Sequence, residues 1–213
     1  ADLVVIPGMP NTVRMKLLFE LSGEHPDLPV AELECVGRVL SRRTQVAVAE
    51  CPDPEATRRL SLTHVVMEYL GECEPTAAAF EGLLRDIGLT TTRPFAGRVK
   101  TVQGARMDIS SLEAERVIGS LIAGPVSLRN PIEEYRAIVS DDRCYFGRVI
   151  FRIDRGAFEA RNPTRRPFFH PGVMMPRIAR ALVNISLVAP GERLFDPFCG
   201  TGTVLVEAKK QGV

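Results

Sequence analysis

No apolar stretch in this 213-residue sequence approaches the roughly 18 residues that a membrane-crossing helix needs. The N-terminus lacks the basic stretch, apolar core and small-residue cleavage site of a signal peptide, so the sequence predicts a cytoplasmic protein. Its five cysteines, Cys35, Cys51, Cys73, Cys144 and Cys199, include no CxxC pair, and its three histidines are too scattered to complete a metal site. Neither a zinc site nor a disulfide framework is indicated. No repeat or low-complexity tract interrupts an ordinary globular mix of 45% apolar and 25% charged residues.

Net charge is nearly absent as well, at +1, but this average hides a segregation along the chain. Residues 1–92 hold 8 Lys and Arg against 14 Asp and Glu, a balance of −6, whereas residues 93–180 hold 16 against 9, a balance of +7. The last 33 residues balance at zero. Fifteen of the sixteen basic residues in the middle segment are arginine, whose planar fork suits phosphates and base edges. Nucleic acid is therefore a candidate partner. The competing reading is a solvated basic face balanced by the acidic N-terminal half.

What is present divides into short units. Residues 1–14, with turns at Pro7-Gly8 and Pro10-Asn11, read as an extension. The apolar pattern then predicts strands at 15–22, 45–51, 64–72 and 95–103 and helices at 30–40 and 76–87, in the order βαββαβ of a ferredoxin-like unit. Pro29 precedes the first helix, Pro75-Thr76 opens the second, and Gly88 stands where a left-handed cap would end it. Ser110 and Glu113 have the spacing of a capping box leading into a helix at 112–122. Strands are expected at 126–128, 135–140 and 144–153, with Asp141-Asp142 as a hairpin turn. From Arg155 to Gly172 periodicity fails in a run rich in Arg and Pro, which reads as a linker. An amphipathic helix at 174–189, a short strand at 193–196 and a helix at 203–211 complete the pattern.

The most specific signal is Asp196-Pro197-Phe198-Cys199-Gly200-Thr201-Gly202-Thr203, a strand ending in an acid, a glycine turn and the start of a helix. The glycines allow positive φ and close approach of a ligand, and the free N–H groups at a helix start favour an anion such as a carboxylate. A glycine pair by itself can equally serve tight strand–helix packing.

With its spacing, this run resembles motif I of the amino-methylating, S-adenosylmethionine-dependent RNA methyltransferases that carry a THUMP domain. The resemblance extends back through Arg165-Arg166-Pro167-Phe168-Phe169-His170-Pro171-Gly172 and the helix from Met175 to Asn184. It includes Phe19 to Pro26, Ser111 to Gly119 and Asn130-Pro131, and so covers about residues 15–213. In these segments the chain resembles the archaeal tRNA guanine-N2-methyltransferases, which modify guanosine at about position 10.

That resemblance implies an α+β chain with a ferredoxin-like N-terminal domain (15–92), a THUMP RNA-binding domain (93–154), a linker (155–172) and the first helix-strand-helix of an α/β Rossmann-type methyltransferase domain (173–213). It implies S-adenosylmethionine as cofactor, held by Asp196, Pro197, Phe198, Cys199, Gly200, Thr201 and Gly202 together with His170, Pro171 and Gly172. It implies tRNA as partner, and the basic segment coincides with the implied THUMP domain. Phosphate contacts are expected from Arg98, Lys100, Arg106, Arg129, Arg136, Arg148 and Arg152, with Arg161, Arg165 and Arg166 on the linker. Phe168 and Phe169 read as core residues in preference to stacking platforms, and His170 as a hydrogen-bonding linker residue in preference to a catalyst.

The family's second motif, Asp-Pro-Pro-Tyr, does not occur in the sequence, so no catalytic residue is assigned. Nor does the sequence reach the acidic residue expected to hold the cofactor ribose. The expectation is the N-terminal portion of a longer enzyme, a truncated piece or one part of a split protein, inactive alone and completed by the remainder of the domain or by a second copy. The alternatives are an RNA-binding module without activity and a related methyltransferase acting on another tRNA or rRNA guanosine.

Overall fold

Strand β1 (Met15–Leu21) is apolar at consecutive positions because both of its faces are covered: Leu17, Phe19 and Leu21 join one core cluster and Leu18 another. In the computed structural model, which describes residues 14–165 and 172–213, β1 lies inside a seven-stranded mixed sheet. The extension expected at residues 1–14 falls, except for Arg14, outside the described residues, as do Arg166, Phe168, Phe169, His170 and Pro171.

After β1 come α1 (Leu28–Leu33), β2 (Arg38–Arg43), β3 (Val46–Cys51) and the long β4 (Thr63–Cys73). Then follow α2 (Ala77–Ile87), β5 (Phe95–Thr101), α3 (Ser111–Leu121), β6 (Glu133–Ser140) and β7 (Arg143–Arg152). The sheet order is β2-β3-β1-β4-β7-β6-β5, antiparallel throughout except that β5 and β6 run parallel, joined by the α3 crossover. This corrects the βαββαβ unit expected over 15–103. β5 does not close on β1 or β3; α2 carries the chain past two strand positions, and β5 forms the far edge beside β6.

The helix expected at 30–40 stops at Leu33, and a strand, β2, takes its second half. Gly37 explains the break: a Cβ there would lie 2.4 Å from the Glu50 carbonyl oxygen and 2.6 Å from Cys51 Sγ, so only glycine lets the chain turn back against β3. The hairpin closes at Thr44-Gln45, where Gln45 has φ 58°. The expected 126–128 strand is a single bridge, Val126 to Phe95. Residues 193–196 form no strand among the described residues, because a lone extended segment has no ladder to join.

Other local signals hold. Thr76 caps α2 by accepting a hydrogen bond from Ala79 N, and Gly88 ends that helix in the left-handed region at φ 61°. Ser110 and Glu113 form the reciprocal capping box of α3. Asp141-Asp142 is the β6–β7 turn.

Three helices, α1, α2 and α3, lie on one face of the sheet. Among the described residues the opposite face has no helix, yet Leu18, Val46, Val48, Val65, Met67, Ile138 and Tyr145 are buried there. Twist accounts for this, since diagonal corners of a right-handed twisted sheet curl toward the same side. Here the β2–β3 turn meets the β6–β7 turn: Thr44 N and Oγ1 donate to the Asp141 carboxylate at 3.0 and 2.9 Å, and Ser140 Oγ donates to Thr44 O at 2.7 Å.

Beyond β7 the expected linker begins with a helical turn, α4 (Gly156–Glu159). Helices α5 (Pro176–Ile185) and α6 (Thr203–Lys209) follow, shorter than expected but in place, packed on each other, with α5 also against α1. Among the described residues no helix is long and apolar enough to cross a membrane.

Candidate functional site

The glycine loop connects the extended 193–196 segment to α6. Asp196 Oδ1 accepts a hydrogen bond from Phe198 N at 3.0 Å, which turns the chain immediately after Pro197. Gly202 N donates to Cys199 O at 2.7 Å and closes the next turn. Gly200 and Gly202 have φ of 51° and 74°, in the region where a side chain is strained. A Cβ on Gly202 would meet nothing within 4 Å, and one on Gly200 only the Phe198 carbonyl oxygen at 4.0 Å. The space above the loop is open, so a ligand could come directly onto the backbone.

Opposite the loop stand Gly172, Val173 and Met174, and the two walls enclose a cleft of about 500 Å³. Asp196, Phe198, Cys199, Gly200 and Thr201 line it, as does Thr203 at the start of α6. Of the residues expected at the cofactor, Pro197 and Gly202 belong to the same loop. His170 and Pro171 lie outside the described residues. The donor set suits the amino-acid end of S-adenosylmethionine: backbone N–H groups at a helix start for its carboxylate, and the Asp196 carboxylate for an ammonium.

The seat of this loop is held by a buried carboxylate. Glu207, fully buried on α6, accepts from Arg161 Nε at 2.7 Å and Nη2 at 3.1 Å and from Arg180 Nη2 at 2.8 Å. The Arg161 guanidinium also stacks 4.7 Å from the Phe158 ring centroid. Burial lowers the Arg180 pKa, against the opposing pull of the Glu207 charge.

A second buried cluster seats α5 on α1 and on the segment that leads into β4. Glu32 of α1 accepts from Ser61 N and Oγ, Leu62 N and Asn184 Nδ2, the last at 2.6 Å. Burial pushes the Glu32 carboxyl above the ordinary range, and these hydrogen bonds pull the other way. Asn184 further donates to Arg59 O and accepts from Arg59 Nε and Gln211 Nε2.

The arginines expected to meet phosphate divide into two groups. Lys100 Nζ lies 2.7 Å from Glu20 Oε1; Arg136 binds the other Glu20 oxygen and, at 2.9 Å, Glu134. Arg152 pairs with Glu134 at 2.7 Å, Arg148 with Glu68 at 2.7 Å, and Arg161 with Glu207. Arg98 donates to the Leu128 carbonyl at 3.1 Å and stands 4.0 Å from Glu115. Arg106, Arg129 and Arg165 are exposed and make no ion pair among the described residues. Arg106 precedes α3 and Arg129 follows it, so both flank the β5 edge of the sheet, where Val126, Leu128 and Ile132 are also exposed. Sequence reasoning missed the acids that absorb the other cations. A signal was available for Glu20, an acid flanked by Phe19 and Leu21 inside a strand; none marked Glu207.

A family model described as RMKL-like, methyltransferase domain, matches residues 163–213. The tRNA (guanine(10)-N2)-dimethyltransferase of Methanothermobacter thermautotrophicus is 33% identical, over 93% of this chain and 62% of its own length. That of Methanocaldococcus jannaschii is 27% identical, over 89% of this chain and 63% of its own. The crystal structure of TrmN from Thermus thermophilus superposes with a TM-score of 0.58 at 20% identity, covering 93% of this chain and 62% of that one, a likeness of fold. The chain thus spans less than two thirds of the length of these relatives.

Proposed function

From a chain related over about nine tenths of its length to the archaeal tRNA (guanine(10)-N2)-dimethyltransferases, we infer that it is the tRNA-gripping and cofactor-loop portion of a tRNA guanine-N2-methyltransferase acting at position 10. The open loop from Asp196 to Gly202 carries this reading, because its positive-φ glycines leave the backbone bare where a ligand's carboxylate would dock. S-adenosylmethionine would supply the methyl group. Asp196 shapes the turn and would face the ammonium, Gly200 and Gly202 keep Cβ atoms out of the approach, and the N–H groups of the first α6 turn would receive the carboxylate.

tRNA is the proposed partner, with the sheet, α2 and α3 as the gripping body and residues 173–213 as the start of the methyltransferase domain. The phosphate contacts assigned first are Arg106, Arg129 and Arg165, whose charges no carboxylate in the described structure neutralises. Arg98, Lys100, Arg136, Arg148, Arg152 and Arg161 are assigned to the scaffold, where they hold acids that would otherwise be unpaired. Methyl transfer to an exocyclic amine depends on positioning, which the packing of α5 between α1 and α6 would supply.

Deleting the gene and mapping N2-methylated guanosines in the cell's tRNA tests the reading. Modification at position 10 should disappear. Its persistence, with loss at another guanosine or none, would overturn the assignment.

A further inference from the structure

Cys73, the last residue of β4, and Cys144, the second of β7, are direct partners in the antiparallel register. Both thiols are free, and each acts on the other's ionisation. Directly opposed residues hold their Cβ atoms about 4.5–5.5 Å apart, close to the roughly 3.5–4.5 Å of a disulfide, so a small shift brings the sulfurs into bonding range. Cys144 is buried and Cys73 half-buried, which gives an oxidant access from one side.

We propose that Cys73 and Cys144 are an oxidative modification site, at which hydrogen peroxide closes a cross-strand disulfide between β4 and β7. Cys73 is the attacking sulfur. The hydrogen bond from Cys144 holds the Cys73 thiol below its ordinary pKa, helped by the Arg143 charge, while the same contact and burial keep Cys144 protonated. The Cys73 thiolate attacks one peroxide oxygen, the O–O bond breaks, and hydroxide leaves, with Cys73 now a sulfenic acid. Cys144 then attacks that sulfur; its proton and the sulfenic hydroxyl depart as water and the S–S bond forms. The two thiols lose two electrons and two protons, and one peroxide becomes two waters. The nearby Cys35 and Cys51 are poor rivals, since burial pushes each thiol up to about 11.

The site has a structural consequence. β4 and β7 are the seam at which the β2-β3-β1-β4 half of the sheet meets the β7-β6-β5 half. A bond between residues 73 and 144 would span the long loop that contains α2, β5, α3 and β6, and closing a loop of that size restricts the unfolded chain strongly.

The 213-residue chain is treated with hydrogen peroxide, unfolded without reductant, and its free thiols counted and cross-links mapped by mass spectrometry. Two of the five thiols should be lost, to a link between Cys73 and Cys144, and the thermal midpoint should rise by roughly 10 °C. Cys73→Ser should abolish both effects. If that variant fails to fold, Cys35→Ser/Cys51→Ser/Cys199→Ser, which retains only the proposed pair, should still cross-link. A link between Cys35 and Cys51, or no paired loss of thiols, would overturn the proposal.

Discussion

Glu20 stands between Phe19 and Leu21 near the end of β1, almost fully buried, and takes Lys100 on one carboxylate oxygen and Arg136 on the other. Lys100 belongs to β5, four strand positions away, so the contact exists only because the sheet coils over its open face. Burial alone would raise the Glu20 pKa; the hydrogen bond from Lys100 and the charges of Arg136 and Lys100 outweigh it and hold the carboxyl below the ordinary range. The folded state therefore binds fewer protons than the unfolded chain in acid. The Glu20 contribution is complete above the ordinary carboxylate pKa and fades as pH falls through the lower native value. Glu20→Gln should cost about 2 kcal/mol in urea unfolding near neutral pH, the cost of leaving two cations short of a partner. The gap between wild type and variant should narrow in acid; a gap constant with pH would refute the ion-pair account. Glu32, its pKa raised by burial, works in the opposite sense and favours the folded state most below the ordinary carboxylate pKa.

At the scale of elements, the helix caps were legible because their chemistry is local: Ser110 and Glu113 need only each other. Ser110→Ala should lower stability by about 1 kcal/mol, read from the urea midpoint, and an unchanged midpoint would remove the capping box from the account. The missed strand β2 depends on something nonlocal. Gly37 fits because β3 passes 2.4 Å from its missing Cβ, and a single sequence does not show that approach. Gly97 on β5 is the same case. A Cβ there would sit 2.7 Å from Ile118 Cγ2, so α3 lies directly on the strand backbone, and Gly97→Ala should destabilise by roughly 1–3 kcal/mol through overpacking. Thermal unfolding checks this, and a neutral result would mean that α3 shifts freely.

For the whole molecule, the glycine loop and the helices on either side of it were legible, while the joints between the gripping body and the loop were not. Charge counting saw sixteen cations between residues 93 and 180 but could not see that Glu20, Glu68, Glu134 and Glu207 meet five of the side chains expected at phosphate. A sixth, Arg98, is held chiefly by the Leu128 carbonyl. Asn184 is the principal joint between α5 and the body before it, linking Glu32 of α1, Arg59 and Gln211. Asn184→Ala should cost about 2 kcal/mol and speed hydrogen exchange in α5 and α6 while leaving β1 and β4 protected. Uniform exchange across the chain would contradict a local joint.

The proposal that this chain grips tRNA through the arginines its fold leaves unpaired is tested most directly by filter binding over about 50 to 200 mM salt. Wild type and Arg106→Ala/Arg129→Ala are compared. Affinity for tRNA should fall steeply with salt, and the log–log slope of the double variant should be shallower by roughly one for each lost phosphate contact. Binding indifferent to salt, or the same slope in both proteins, would contradict the account.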